Sequence, residues 1–426
     1  MDMDSSKSSK AKNKKKRRNG RKKKATAEQS QYAKSVREWV SLDSSSPPSV
    51  DDDDLDFGLR SKVVFDLHSH SIFSDGFLSP TALVERAHRN GVKVLALTDH
   101  DTMSGIPEAI EASQRFDMKI IPGVEISTMY SPRGESGTEE PVHILAYYGS
   151  CGPARYEELE TCLSNIREGR YHRAKNMILK LNKLKMPLKW EHVAKIAGNG
   201  VAPGRLHVAR ALVEAGHVEN LKQAFNRYLY DGGPAYSTGN EPSAEESVEL
   251  IRRTGGFAAL AHPWALKNPL PIIKRLKDAG LHGMEVYRGD GKLAAFSDLA
   301  DRYNLVKVGG SDYHGRGNHD ESDLGSVNLP LLAVHEFLKV ARPIWCNAIK
   351  DILQHYVEEP SELKVERLTR FWKMRNLKSI STASHCRDVV DMCLSTWLTP
   401  EERQATDIES LRSKLSHTSI NGVALC

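Results

Sequence analysis

The segment Val63–Gly76 (VVFDLHSHSIFSDG) ends an apolar run with two histidines two residues apart, and an acid, Asp75, follows. Side chains two apart on a strand point to the same face. His68 and His70 can therefore present two imidazoles to one point beyond the strand. Neutral imidazole is the commonest metal ligand, yet an isolated His-x-His is also an ordinary surface pair. The pattern gains meaning by recurring. His100 follows the second apolar run in Thr98-Asp99-His100-Asp101, and Glu125 closes the third in Gly123-Val124-Glu125. His143 opens the fourth, His262 ends the next before Pro263, and Asp312 and His314, again two apart, end the last. Taken singly, each has a bland reading as a core histidine, a salt-bridging acid or a turn cap. Taken together, His68, His70, Asp75, His100, Glu125, His143, His262, Asp312 and His314 supply six imidazoles and three carboxylates. Nitrogen and oxygen donors without thiolate suit zinc, manganese or iron. Nine donors exceed the four of one zinc site, so two or three ions must share them, with an acid such as Glu125 bridging. Ions ~3.5–4 Å apart are the usual arrangement for displacement at phosphorus.

These residues need a scaffold that gathers strand ends. From Lys62 the sequence alternates strand, loop and helix. Ser79-Pro80 reads as an N-cap with proline at the first helical position, Thr81–Asn90 as a helix and Gly91 as its stop. KVLALTDHD is nearly continuous in apolar residues, as in a parallel strand covered on both faces. A helix over Gly105–Phe116, then strands KIIPGVEIS and Val142–Tyr148, continue the alternation. It predicts α/β architecture with a largely parallel sheet, in which sites lie at the strands' C-terminal ends. From Gly152 to Gly255 the alternation gives way to helices over Arg155–Leu184, Trp190–Ala197, Gly204–Ala215, Leu221–Leu229 and Ala244–Thr254. Strands resume at 257–262, 284–287 and 306–314, and a last strand-helix unit is expected from Gly325 to Ala341. The expected organisation is a disordered tail over 1–60, a barrel formed by 61–151 and 256–342, a helical insertion over 152–255, and a helical C-terminal extension over 343–426. Gln31–Leu42 reads as a short helix within the tail, and Leu363–Leu377 as a basic amphipathic helix.

Composition adds boundaries. Hydrophobic residues are 39% of 426, low for a wholly compact chain. No apolar run approaches the ~18 residues of a membrane span, and no apolar signal segment opens the chain. The six cysteines are scattered without a C-x-x-C pair, which suits a reducing compartment. The net charge of +5 is misleading, because Lys12–Lys24 alone carries ten bases and no acid. Without that block the chain has 50 bases against 55 acids. The block reads as a nuclear import signal or a nucleic-acid contact, which points to the nucleus or cytoplasm.

HSH with Asp75, TDHD, GVE, VHIL, AHP and SDYH together resemble the PHP (polymerase and histidinol phosphatase) family over Lys62–Ala341. The resemblance implies a distorted seven-stranded β/α barrel holding three divalent ions, manganese first, zinc or iron as alternatives. It implies one ion on His68, His70, Glu125 and Asp312, a second on Glu125, His143 and His262, and a third on Asp75, His100 and His314. The insertion phrases GRLHVARALVEAG (Gly204–Gly216) and LYDGGPAY (Leu229–Tyr236) are similar to the branch of bacterial 3′,5′-nucleoside bisphosphate phosphatases that also trim short RNA from the 5′ end. The basic tail, the C-terminal extension and the long loop Ser131–Pro141 depart from that branch.

The chemistry implied is hydrolysis of a phosphoester on a nucleotide or short RNA, with no side-chain nucleophile. Asp99 is a candidate to orient a histidine, with a structural turn role as its alternative. Arg170, Arg173, Arg205 and His207 of the insertion are candidate phosphate or base contacts, arginine through its bidentate fork. Two other readings remain: a phosphatase of a small metabolite such as histidinol phosphate, and a non-catalytic nucleic-acid-associated protein.

Overall fold

The computed structural model describes residues 27–43, 63–132, 139–198, 200–289, 294–317, 321–359, 370–371, 394–395, 397–416, 419–420 and 423–424. Helix α1 (Ala27–Val40) precedes the body. Then β1 (Val64–Asp66), α2 (Pro80–Arg89), β2 (Val92–Leu97), α3 (Ile106–Ser113) and β3 (Lys119–Tyr130) alternate as the sequence predicts. The Ser79 side chain accepts from the N–H of Ala82 and Pro80 opens α2, so the cap and the fixed φ of proline start this helix together. β4 (Glu140–Tyr147) pairs with β3 along eight residues.

Seven strands form one sheet in sequence order. β1, β2 and β3 are parallel. β5 (Phe257–Leu260), β6 (Gly283–Tyr287) and β7 (Val306–Gly309) are also parallel to one another. β4 alone runs antiparallel to both neighbours. The sheet closes beyond its first and last strands, where Ser69 bridges Tyr313. There the N–H of His70 donates to the carbonyl of Tyr313 and that of Asp312 to the carbonyl of His68, both at 2.9 Å. Closure is tight: a Cβ at Gly310 would lie 2.3 Å from the backbone nitrogen of His68, so glycine is required at the seam. The result is a seven-stranded α/β barrel.

Between β4 and β5 lie α4 (Tyr156–Lys183), α5 (Trp190–Ala197), α6 (Arg205–Glu214), α7 (Leu221–Ala224, continued by a π-helical turn over Phe225–Leu229) and α8 (Ala244–Arg253). Their packing is not uniform. Leu159, Leu163 and Ile166 of α4 and Val248 and Ile251 of α8 belong to the barrel core. Met177, Leu181, Val193, Val208, Leu212 and Leu229 form a second core of their own. The separate helical body is thus narrower than residues 152–255, because both ends of that stretch bury apolar faces on the barrel.

Two expectations need correction. Among the described residues, no strand lies between Gly325 and Ala341; helix α11 (Leu331–Glu358) follows α9 (Pro269–Asp278), α10 (Ala294–Arg302) and β7, and it continues through Pro343. A boundary at 343 therefore falls inside a helix. Residues 27–43 are not tail. Val36 and Trp39 of α1 are fully buried, and Trp39 meets Phe65, Trp345 of α11 and Trp397. Trp345 Nε1 donates to the carbonyl of Tyr147, at the end of β4. Lys119, whose Nζ lies over the Trp39 ring, begins β3, and Tyr147 ends the reversed β4, so α1 and α11 cover the barrel end opposite the ligand-rich one. Two tryptophans of the N- and C-terminal extensions supply apolar area that outweighs the ordering cost of a short helix. Lys12–Lys24 and most of Leu363–Leu377 lie outside the described residues, as does much of Ser131–Pro141. Among the described residues, no helix is long and apolar enough to cross a membrane.

Candidate metal centre

All nine candidate ligands converge at one end of the barrel. His68 and His70 leave β1, and their Nε2 atoms lie 3.1 Å apart. Glu125 Oε2 is 3.1 Å from the first and 3.2 Å from the second. Asp312 Oδ1 is 3.3 and 3.2 Å from the same two atoms. The other oxygen of Glu125 is 2.9 Å from His143 Nδ1 and 2.9 Å from His262 Nε2. Asp75 Oδ1 lies 3.3 Å from His314 Nε2 and 3.9 Å from His100 Nε2. His143 stands near the start of its strand because β4 runs backwards, which brings its start level with the ends of its neighbours.

The arrangement fits cations. Donor atoms about 2.1 Å from one shared ion sit roughly 3.0–3.4 Å from each other, the separations seen here. Within this cluster Asp75 Oδ1, His70 Nδ1 and His100 Nδ1 are buried and make no hydrogen bond, which is costly unless an ion completes them. Among the described residues, three groups satisfy ligand spacing: His68, His70, Glu125 and Asp312; His70, Asp75, His100 and His314; and His100, Glu125 and His143. The rings of His70 and His100 each lie between two groups. A neutral imidazole has one lone-pair nitrogen, so each can serve only one ion. His262 shares an oxygen of Glu125 with His143.

Electrostatics agree. Burial opposes charge on Glu125, but His100, His68 and His143 hold it well below the usual carboxylate range. His314 and His100 outweigh burial at Asp75 in the same way. Burial likewise opposes charge on His68, yet Glu285, Asp312 and Glu125 raise its pKa. The carboxylates demand positive charge, and cations would supply it in place of imidazole protons. Backbone strain gathers here too: Asp101, His262 and Asp312 have φ of 55°, 27° and 53°, conformations that persist only where surroundings enforce them.

Among the described residues, Asp99 makes no hydrogen bond to a histidine. Its oxygens accept from the Ser71 N–H (2.7 Å) and from the hydroxyls of Ser71 and Ser74 (2.6 Å each). It fixes the loop that carries Asp75, the structural alternative. The residue that does accept from histidine is Glu285, in the middle of β6. Its Oε1 is 3.1 Å from His68 Nδ1, and its Oε2 accepts the backbone N–H of His262 at 2.7 Å. Its signal in the sequence is an acid inside an apolar strand, MEVY.

Beside Asp75 and His100 opens a cavity of about 320 Å³, also lined by Phe73, Arg167, Arg170 and His207. Burial keeps His207 neutral, its pKa pushed down to about 4. The N–H of Gly204 donates to its Nδ1 at 2.9 Å, so the ring proton sits on Nε2. Arg170 reaches the cavity, but its Nε donates to buried Asp101 (2.6 Å) and an Nη to Ser127 Oγ (2.6 Å). Arg173 pairs with Glu241 and Arg205 with Asp231. These two arginines are matched by acids of the insertion and do not line the cavity.

The model of the PHP domain matches residues 66–199. A 3′,5′-nucleoside bisphosphate phosphatase of Chromobacterium violaceum is 33% identical over 66% of this chain and 94% of its own length. A 5′-3′ exoribonuclease of Haemophilus influenzae is 35% identical over 59% of this chain and 89% of its own. Among solved structures, one from Bifidobacterium adolescentis assigned as a metal-dependent phosphoesterase superposes with a TM-score of 0.56 at 29% identity, over 66% of this chain and 96% of that one. Relatives matched nearly end to end carry the same conclusion as the ligand groups: the chain belongs to the PHP domain family and is a metal-dependent phosphoesterase.

Proposed function

We propose that this phosphoesterase removes phosphate from 3′,5′-bisphosphonucleotides and trims short RNA from its 5′ end. The observation that carries the reading is the position of the cavity, which opens directly onto Asp75 and His100 and is lined by arginine and a neutral histidine. The names of the relatives supply the nucleotide and RNA classes. When bound, divalent ions would lower the pKa of water and screen phosphoryl charge. We assign their binding to His68, His70, Asp75, His100, Glu125, His143, His262, Asp312 and His314, with Mn(II) as first choice and Zn(II) or Fe(II) next. The Nε2 proton of His207 is a neutral donor for a phosphate or base oxygen at the cavity wall. Arg170, held by Asp101 and Ser127, is a fixed positive wall rather than a free clamp. Asp99 holds the Asp75 loop. The basic block Lys12–Lys24 supports a nuclear or cytoplasmic setting and contact with an import receptor or nucleic acid.

The test is a substrate panel on the manganese-loaded full chain: a nucleoside 3′,5′-bisphosphate, a 5′-phosphorylated trinucleotide and histidinol phosphate. Phosphate or nucleotide release from the first two is expected, and its loss on chelation or in the H68A/H70A double variant. Faster turnover of histidinol phosphate would favour a metabolite phosphatase. Deletion of residues 1–26 should leave turnover intact; a non-catalytic binder predicts loss of its main activity instead.

A further inference from the structure

Arg170, Arg173 and Arg205 are each matched by an acid. Arg210 is different. It forms no ion pair with a described acid, and its guanidinium lies over the ring of Phe77, 4.6 Å from the centroid. Phe77 is 39% exposed, an unusual position for so large an apolar ring. It follows Asp75 by two residues, and its N–H donates to the carbonyl of His314 at 2.7 Å. Its backbone is thereby tied to two loops that carry candidate ligands. Arg210 follows His207 by three residues on α6, so the two share a helix face. His207 lines the cavity, and Arg210 stands about one turn further along the helix, against the ring that follows the lining residue Asp75 by two. Arg316, two residues after His314, approaches Asp75 Oδ2 at 4.0 Å, and Ile72 on the Asp75 loop is exposed.

An exposed aromatic flanked by unmatched guanidinium is how proteins hold single strands: a base stacks on the ring and cations face the backbone. We propose that Phe77 and Arg210 form a second nucleotide subsite at the cavity mouth. The base next along the strand stacks on Phe77, and Arg210 and Arg316 face its phosphate. The proposal rests on the nucleotide reading of the cavity and narrows it: the chain acts on strands of two or more nucleotides in preference to mononucleotides.

The experiment compares kcat/KM of the manganese-loaded full chain for a 5′-phosphorylated trinucleotide and for a nucleoside 3′,5′-bisphosphate. The ratio should fall about tenfold in F77L, the loss expected for one base stack, and recover in F77W. R210Q should lower the ratio and flatten its dependence on salt. Thermal melting verifies that each variant is folded. An unchanged ratio in F77L and R210Q overturns the proposal while leaving the nucleotide reading intact. Equal losses on both substrates also overturn it, making the pair a latch between α6 and the barrel. If the wild-type chain turns over neither substrate, the nucleotide reading fails and the subsite falls with it.

Discussion

Replacement of Glu285 by glutamine tests the least visible part of the centre. The carboxylate is buried, 3.1 Å from His68 Nδ1 on one oxygen, and accepts the His262 N–H at 2.7 Å on the other. Both partners belong to the proposed ligand set. Glutamine keeps the shape but offers one acceptor and one donor. If its oxygen keeps the bond to His262, its NH2 faces His68 Nδ1. That nitrogen must then accept, so the ring proton moves to Nε2, the atom 3.1 Å from Glu125 and from His70. A protonated Nε2 has no lone pair for an ion. If the amide turns the other way, two donors meet at His262. Either orientation loses one charge-assisted bond, about 1.5–3 kcal/mol. The corresponding weakening is about 10–100-fold, the range typical of partners that orient metal ligands.

The assay is titration of metal-stripped protein with manganese or zinc, followed by calorimetry or chelator competition. The expectation is that one class of ion weakens by that factor in E285Q, while the circular dichroism spectrum and unfolding of the stripped protein change little. Wild-type affinity for every ion in E285Q would refute the orienting role. A large loss of stability in the stripped protein with unchanged affinity would make Glu285 a purely structural clamp.

Three further outcomes are expected. W39A should lower stability by about 3–5 kcal/mol, read from the urea midpoint, with kcat retained where the protein is folded, because α1 packs at the end opposite the ligands. R170A leaves the Asp101 carboxylate buried without its cation, at a cost of about 3–5 kcal/mol; thermal melting measures it, and R170K should restore only part. Burial pushes His207 down to about 4, below its value near ~6.5 in the unfolded chain. The unfolded chain then binds the proton first, so the stability His207 contributes is complete above about pH 6.5 and is lost as pH falls toward 4, by up to about 3 kcal/mol. Urea midpoints at pH 7.5 and 4.5 should diverge more for the wild type than for H207Q, and equal losses would contradict a neutral buried His207.

Much of the fold is legible because strand ends and chemistry coincide. The apolar runs predict all seven strands, and the donors mark the site end of every strand except β6. His143 was the exception, at the start of its run rather than the end. That is the signature of a reversed strand, and β4 is antiparallel to both neighbours. The helix over Ala27–Val40 is legible as Gln31–Leu42, but its docking on the barrel is not, because its apolar stripe is short and sits beside a basic block and an acidic linker. Partners such as Trp345 and Trp397, more than 300 residues away, make Trp39 core. The arginines were legible as cations but not as matched ones, since Asp101, Glu241 and Asp231 meet them only through tertiary packing.

Buried acids show where the limit lies. Asp66 in VVFDL and Glu285 in MEVY both stand inside apolar strands, and a carboxylate there must find partners. That rule flags both positions from the sequence. It cannot distinguish their roles. Asp66 accepts backbone N–H groups of Ser311 and Gly325, at 2.9 and 2.8 Å, and so ties β1 to the chain beyond β7. Glu285 reaches His68 across 217 residues of chain. The two differ in whether the partner is a backbone amide that closes the barrel or an imidazole of the proposed ligand set. Strand order decides this, because β6 places Glu285 two strands from His68 around the closed sheet. An acid within a strand is therefore a candidate to orient a ligand once the barrel is known to close, and only then.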